Sequence, residues 1–239
     1  MADGKERDIL AADVLKVIGE SVVRLKNEPL TAFLSLCGNK YNRELMVVGR
    51  AANGWMDENP TSAQKLSKLS EPASYANRVL DYSKEDSDEM AWVVNRWGNS
   101  DGYNTNRSPF WRVSKSVLES LTEPNEDWSS YLAWSNLYKV SPVSGGNPSN
   151  RLCDAQLAGC IKLFNHELDA YKPKRLLMIT GNNWATGFVG CGKASTPKLE
   201  AVDWVGMIPN SDTKVVVAKR PEGRKEAAWC DQVLEGFIR

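Results

Sequence analysis

The stretch that decides the fold is residues 131–181, which read YLAWSNLYKV SPVSGGNPSN RLCDAQLAGC IKLFNHELDA YKPKRLLMIT G. Its apolar start, 131–137, predicts a strand, and the Gly-, Pro- and Ser-rich residues 141–150 predict a loop. Apolar side chains then recur at three- and four-residue spacing and predict an amphipathic helix with the stripe Leu157, Cys160, Ile161, Phe164 and Leu168. Lys172 and Pro173 end that helix, and the apolar run 175–180 predicts a second strand.

Two more apolar runs extend this pattern in both directions along the chain. Residues 45–48 precede the small residues 49–54, and residues 214–218 precede the segment 219–224. Helices are predicted at 109–121 and at the C-terminus. Strands that alternate with helices predict an α/β protein with three layers, α/β/α, around a central, mainly parallel four-stranded sheet. Ligands of such sheets bind beyond the carboxyl ends of the strands, so we expect four loops to converge: 49–55, 136–150, 181–187 and 219–224.

The remaining segments are interpreted as additions to one domain. Residues 8–36 carry apolar side chains at helical spacing, and residues 55–108 are polar and turn-rich with partly helical character around 62–97. We therefore predict a single domain over residues 1–239 with an N-terminal helical extension (1–40) and an insertion (55–108).

Composition narrows the classes of function. Lys plus Arg equals Asp plus Glu, 30 against 30, so a nucleic-acid protein would need its positive charge gathered on one face. Five scattered Cys without a CxxC pair, and a single histidine, His166, argue against disulfides, metal sites and histidine-based triads. His166 is expected on a helix surface, and no cofactor is expected. The charged N-terminus and the absence of a long apolar run predict a cytoplasmic protein without membrane contact.

The order of these segments resembles the uracil-DNA glycosylase superfamily. The resemblance is carried by a strand bearing Asn136, a Pro/Arg loop, a helix with Cys160, Lys172-Pro173 and an apolar strand ending in Gly181. It covers roughly residues 43–55 and 108–238. It implies a uracil-DNA glycosylase-like fold and a protein that binds, and as a DNA N-glycosylase excises, a damaged or deaminated base. The alternative is a catalytically inactive module on the same fold that binds a free nucleotide or a protein.

The resemblance also implies roles for individual residues of the first two loops. Asn136 stands where the family reads a base edge, because one carboxamide supplies both a donor and an acceptor; its other interpretation is a turn cap. Ala51 stands where the family's commonest catalytic Asp lies, so the candidate catalytic residues are Asn53, or Asp57 with Glu58 beside it. The other candidate substrate-binding residues of this loop are Gly49, Arg50 and Trp55.

The last two loops complete the predicted site. Asn182 and Trp184 follow the strand predicted at 175–180 and are candidate substrate-binding residues, with Trp184 as a stacking face. The last loop reads Arg220-Pro221-Glu222-Gly223-Arg224, with Arg220 where the family's His-Pro-Ser segment has its histidine. Arginine cannot act as an acid near neutral pH but can bind phosphate, so Arg220, Pro221 and Arg224 are candidates for contact with DNA, single-stranded or with a flipped base; the alternative is solvated charge.

Overall fold

The computed structural model describes residues 4–21, 25, 28–53, 61–62, 88–191 and 195–239. The chain divides into two compact units. The first contains Met1–Ser35, Gly49–Glu85 and Asn136–Tyr171, and the second contains Leu36–Val48, Asp86–Ser135 and Lys172–Arg239. Two of these boundaries fall within strands. The strand Leu45–Ala51 is divided after residue 48 and the strand Leu132–Tyr138 after residue 135, so the last three residues of each are counted with the first unit.

Helices and strands alternate along most of the described chain. The helices are α1 (Gly4–Glu20), α2 (Ala91–Asn95), α3 (Pro109–Leu121), α4 (Asn150–Tyr171), α5 (Asn182–Ala185) and α6 (Glu226–Ile238). The strands are β1 (Pro29–Ala32), β2 (Leu36–Cys37), β3 (Leu45–Ala51), β4 (Thr61–Ser62), β5 (Leu132–Tyr138), β6 (Val140–Pro142), β7 (Arg175–Met178), β8 (Val202–Met207) and β9 (Lys214–Ala218). Short 3₁₀ turns cover Thr105–Arg107 and Trp128–Tyr131.

The first unit combines a small antiparallel sheet with two packed helices. Its strand order is β4-β1-β6, and β1 is antiparallel to both neighbours. The helices α1 and α4 pack closely, because Gly159 of α4 has no side chain where α1 approaches. A Cβ atom at Gly159 would lie 2.5 Å from Val14 Cγ2 and 3.3 Å from Val14 Cα.

The second unit is organised by a six-stranded sheet in the order β2-β5-β3-β7-β9-β8. Strands β3, β7 and β9 run parallel. They are almost entirely buried, as is usual for parallel strands, which are covered on both faces of the sheet. At the two edges, β2 is antiparallel to β5 and β8 is antiparallel to β9. The prediction of an α/β protein with a mostly parallel sheet is confirmed.

The four strands predicted from the sequence all exist and are neighbours in this sheet, in the order β5-β3-β7-β9. The predicted number of strands is nevertheless wrong, because the edge strands β2 and β8 raise it from four to six. An edge strand needs only a partner on one side, so two residues of β2 suffice to pair with β5. β8 is interrupted by a bulge between Val202 and Trp204, which disturbs the alternation by which a strand is recognised.

The N-terminal prediction needs a second correction. Of the helix expected over 8–36, α1 extends to Glu20 and Leu25 is also helical, but Pro29–Ala32 forms β1 instead. Proline lacks an N–H and disfavours the helical conformation of the residue before it, while β1 finds hydrogen-bonding partners in β6. Strand β6 itself lies within the segment 136–150, which is predicted as a loop. The strand conformation of both β1 and β6 therefore depends on their pairing with each other.

The predicted insertion, 55–108, lies largely outside the described residues, which include only 61–62 and 88–108 of it. Of the helical character expected around 62–97, α2 is described. The helix predicted at 109–121 is confirmed, with Pro109 at its first position and Trp111 in the core, 2% exposed. Among the described residues, no helix is long and apolar enough to cross a membrane.

Candidate functional site

Asn136 is a buried residue of β5 and is the first residue of that strand counted with the first unit. It is the fifth residue of β5, whose first six residues are all buried, and its side chain is 2% exposed. A strand buried on both faces offers no position facing solvent, so a polar residue within it must lie among other side chains. A buried carboxamide is costly unless its polar atoms form hydrogen bonds, which marks Asn136 as a position with a specific partner or ligand.

The loops that follow β3 and β5 meet in the first unit. The buried Ser141 hydroxyl donates a hydrogen bond of 2.7 Å to the carbonyl oxygen of Ala52. The backbone N–H of Gly146 donates one of 2.6 Å to Asn53 Oδ1. Gly145 and Gly146 have φ of 84° and 87°, which lets the second loop turn back toward the first. Two of the four loops expected to converge are therefore in direct contact.

These contacts bear on the candidate catalytic residues. One lone pair of Asn53 Oδ1 is used to hold the Gly146 N–H, so this carboxamide has a structural role in joining the loops. Gly49 is buried and Arg50 is half-buried at the end of β3. The remaining candidates of this loop, Trp55 and Asp57, lie outside the described residues, as does Glu58. The described part of the loop, 49–53, carries no acid.

A buried polar cluster next to β5 was missed in the sequence. The Gln156 carboxamide accepts hydrogen bonds from the backbone N–H groups of Lys139 (3.1 Å) and Val140 (2.9 Å), and donates one to the Val140 carbonyl oxygen (2.8 Å). Lys139 Nζ lies 2.8 Å from both carboxylate oxygens of Glu167, and these side chains are 2% and 1% exposed. α4 thus holds the chain that follows Asn136 in place.

One signal could have revealed this cluster. Gln156 precedes Cys160 by four residues, and Glu167 follows Phe164 by three, so both share the helical face that carries the apolar stripe. Polar residues on the buried face of a helix need buried partners. The sequence does not say which residue supplies them, since Lys139 reads as a solvated charge after a strand.

The hydroxyl and thiol groups near this cluster are poor nucleophiles. Burial raises the pKa of the Cys160 thiol to about 12 and that of the Cys153 thiol to about 11. Burial also raises the pKa of Tyr138, which shares a hydrogen bond with Cys153, to about 12. All three groups stay protonated at neutral pH, and a protonated thiol does not act as a catalytic nucleophile.

In the second unit, the loop after β7 contacts the start of β8. Gly181 N donates to the carbonyl oxygen of Ala218 over 2.9 Å, and Asn182 N donates to Asp203 Oδ2 over 2.8 Å. The indole N–H of Trp204 donates to Asn182 Oδ1 over 3.0 Å. Asn182 is exposed, and both its backbone N–H and its side-chain oxygen are hydrogen-bonded to side chains of β8. Trp184 is half-buried in α5. Asp203 and Trp204 went unnoticed in the sequence because β8 was not predicted.

The basic loop after β9 forms ion pairs at the surface of the second unit. Exposed Arg220 pairs with Glu222, and Arg224 Nη1 lies 2.7 Å from Glu200 Oε1. Pro221 between them is buried. Exposed pairs of this kind contribute about 0–1 kcal/mol, so a phosphate could displace either carboxylate at low cost. The expectation that these arginines bind phosphate stays a prediction.

His166 is less exposed than expected for a residue on a helix surface. Its side chain is 11% exposed, and its Nδ1 lies 3.5 Å from Glu6 Oε2, because α1 covers this face of α4. Among the residues that the structure describes, no group of three or more His, Cys, Asp or Glu side chains could hold a metal ion.

Comparison of the chain with models of known protein families finds no match, and comparison with curated proteins finds none.

Proposed function

We propose that the chain is a uracil-DNA glycosylase-like protein that binds a single nucleobase through Asn136 and does not hydrolyse its glycosidic bond. The observation that carries this proposal is the buried carboxamide of Asn136 in β5, beside the joined loops after β3 and β5. The neighbouring order of the four predicted strands, β5-β3-β7-β9, supports the family's three-layer fold.

A carboxamide suits a base edge because it offers one acceptor and two donors in a plane. Uracil presents an N–H between two carbonyl oxygens, so Oδ1 of Asn136 accepts from the base while Nδ2 donates to it. A buried position removes competing water and thereby strengthens discrimination between bases. The fixed backbone after Asn136, held by Gln156 and the Lys139–Glu167 pair, would keep the carboxamide in one orientation.

Asn53 favours binding over hydrolysis. It uses its carboxamide oxygen to hold Gly146, and an amide cannot accept a proton from the attacking water. The described part of the first loop, 49–53, carries no acid that could accept the proton in its place. These observations support the inactive alternative of the family, with a nucleotide or a flipped base as ligand.

Saturation-transfer NMR with free uracil, cytosine and adenine tests the role of Asn136. We expect uracil to bind, and Asn136→Leu to weaken its binding by about tenfold or more, since two hydrogen bonds are lost. Leucine has a similar shape without polar atoms, so the fold should tolerate it. The matched control is Asn165→Leu, which removes an exposed carboxamide from α4. Equal uracil binding by the two variants would contradict the proposal.

A cleavage assay tests the absence of hydrolysis. Oligonucleotides bearing uracil, hypoxanthine or xanthine are incubated with the protein, and abasic sites are then cleaved with alkali. We expect no strand breaks above the level without protein. Cleavage by the wild type that Asp57→Ala abolishes would show a working catalytic acid in the first loop and would overturn the inactive assignment.

A further inference from the structure

A cluster of aromatic rings lies in the second unit. Trp111 is at its centre and packs edge-on against Trp92, Phe110 and Trp134, with ring centroids 5.5, 5.0 and 4.9 Å away. Trp111 and Trp134 are buried, whereas Trp92 and Phe110 are half-buried. The outermost ring is Tyr103, whose centroid lies 6.5 Å from that of Trp92 and which is 50% exposed. We call Trp92, Tyr103 and Phe110 the aromatic platform.

The loop that presents Tyr103 is held by several hydrogen bonds. Asn104 Oδ1 accepts from the backbone N–H groups of Gly98 and Asn106, each over 3.0 Å. The Thr105 hydroxyl donates to the carbonyl oxygen of Val93 over 2.7 Å, and its N–H donates to the carbonyl oxygen of Arg96 over 3.2 Å. A large ring on a loop that is already ordered can bind a ligand with little additional entropy cost.

The charges around the platform favour an anion. Arg96 precedes Tyr103 in the sequence and Arg107 follows it, and both arginines are exposed. Neither has a carboxylate partner among the described residues. Asp101 is the one acid between them in the sequence. Other arginines do pair with carboxylates, namely Arg43, Arg112, Arg175, Arg220, Arg224 and Arg239. The platform therefore combines the exposed ring of Tyr103 with two exposed guanidinium groups in the same loop.

We infer that the aromatic platform binds single-stranded nucleic acid. A base stacks on Tyr103, because every base has a flat π face, and Arg96 and Arg107 bind the phosphates on either side of it. This combination of rings and exposed guanidinium groups suits a chain of alternating bases and phosphates better than an acidic peptide, which offers charge without flat rings. The inference does not rest on Asn136, so it stands or falls independently of base binding in the first unit.

Fluorescence anisotropy with a labelled oligothymidylate of about 12 nucleotides tests stacking. We expect Tyr103→Ala to weaken binding by about tenfold and Tyr103→Phe to retain it within about twofold, because phenylalanine keeps the ring. Asn165→Leu, which removes an exposed carboxamide from α4, should leave oligonucleotide affinity unchanged within the same margin. Absence of binding by the wild type, or equal affinities of Tyr103→Ala and Tyr103→Phe, would overturn the inference.

A salt series tests the phosphate contacts. The double variant Arg96→Gln/Arg107→Gln should reduce the slope of log affinity against log salt concentration by about 1.4, because two phosphate contacts to a single strand are lost. The control Lys16→Gln/Lys198→Gln removes two exposed charges elsewhere and should leave the slope unchanged. Asp101→Asn should tighten binding, since it removes the acid of the loop. The same slope for both double variants would refute the role of the arginines.

Discussion

The buried ion pair between Lys139 and Glu167 offers the sharpest test of how the first unit is held together. The perturbation is Glu167→Gln, which removes the negative charge but keeps the size and shape of the side chain. Lys139 Nζ then loses the carboxylate with which it forms two contacts of 2.8 Å, while its side chain remains 2% exposed. The ring of Phe164, whose centroid lies 5.9 Å from Nζ, is a neighbour that the ammonium retains.

The expected cost follows from burial. Removing one partner of a buried ion pair typically destabilises a protein by about 3–5 kcal/mol, because an uncompensated charge is left without water. The cation–π contact with Phe164 is present in the wild type as well as in the variant, so it does not offset this cost. We therefore expect Glu167→Gln to lower the free energy of unfolding by about 3 kcal/mol. The double variant Lys139→Met/Glu167→Leu removes both charges and should be within about 1 kcal/mol of the wild type or more stable.

Urea unfolding, followed by circular dichroism at 222 nm, measures these differences. The matched control is Glu119→Gln, which breaks an exposed pair with Lys115 and should cost less than about 1 kcal/mol. If Glu167→Gln costs no more than Glu119→Gln, with an unchanged slope against urea, the pair is not desolvated and the argument from burial is refuted. A double variant less stable than Glu167→Gln would refute it as well.

Two further predictions concern α4. Gly159→Ala should destabilise the protein by about 1–2 kcal/mol despite the helix preference of alanine, because its Cβ overlaps Val14, and Val14→Ala in the same chain should restore part of the loss in urea unfolding. Because burial raises the pKa of Cys160 from 9.0 to about 12, the folded state keeps a proton that the unfolded chain releases, so stability should fall as the pH rises above about 9. Cys160→Ser should lose less stability than the wild type between about pH 9 and pH 11, and identical pH dependence of the two urea midpoints would contradict this.

Much of the fold could be read from local pattern. Helix α4 and its end at Lys172-Pro173 follow from apolar spacing and from the geometry of proline, and the buried strands β3, β5, β7 and β9 follow from short apolar runs followed by small or polar residues. These signals are local, because each depends on the spacing and type of side chains within one element.

The elements that sequence missed depend on partners far along the chain. Residues 29–32 have no strong preference of their own, and they form β1 because β6, more than a hundred residues later, offers its backbone groups. Strands β2 and β8 similarly exist as edges of a sheet whose centre was already predicted. Their pairing cannot be read from a pattern within either segment.

The same division applies to the candidate site. The sequence by itself determined the α/β class, the strand that carries Asn136 and the loops that follow the strands, because apolar periodicity and turn residues act locally. Only the tertiary structure decided that Asn53 holds Gly146 and that Lys139 is buried against Glu167. Whether a polar side chain faces solvent or a partner depends on which distant segment lies against it, and this is set by packing of the whole chain.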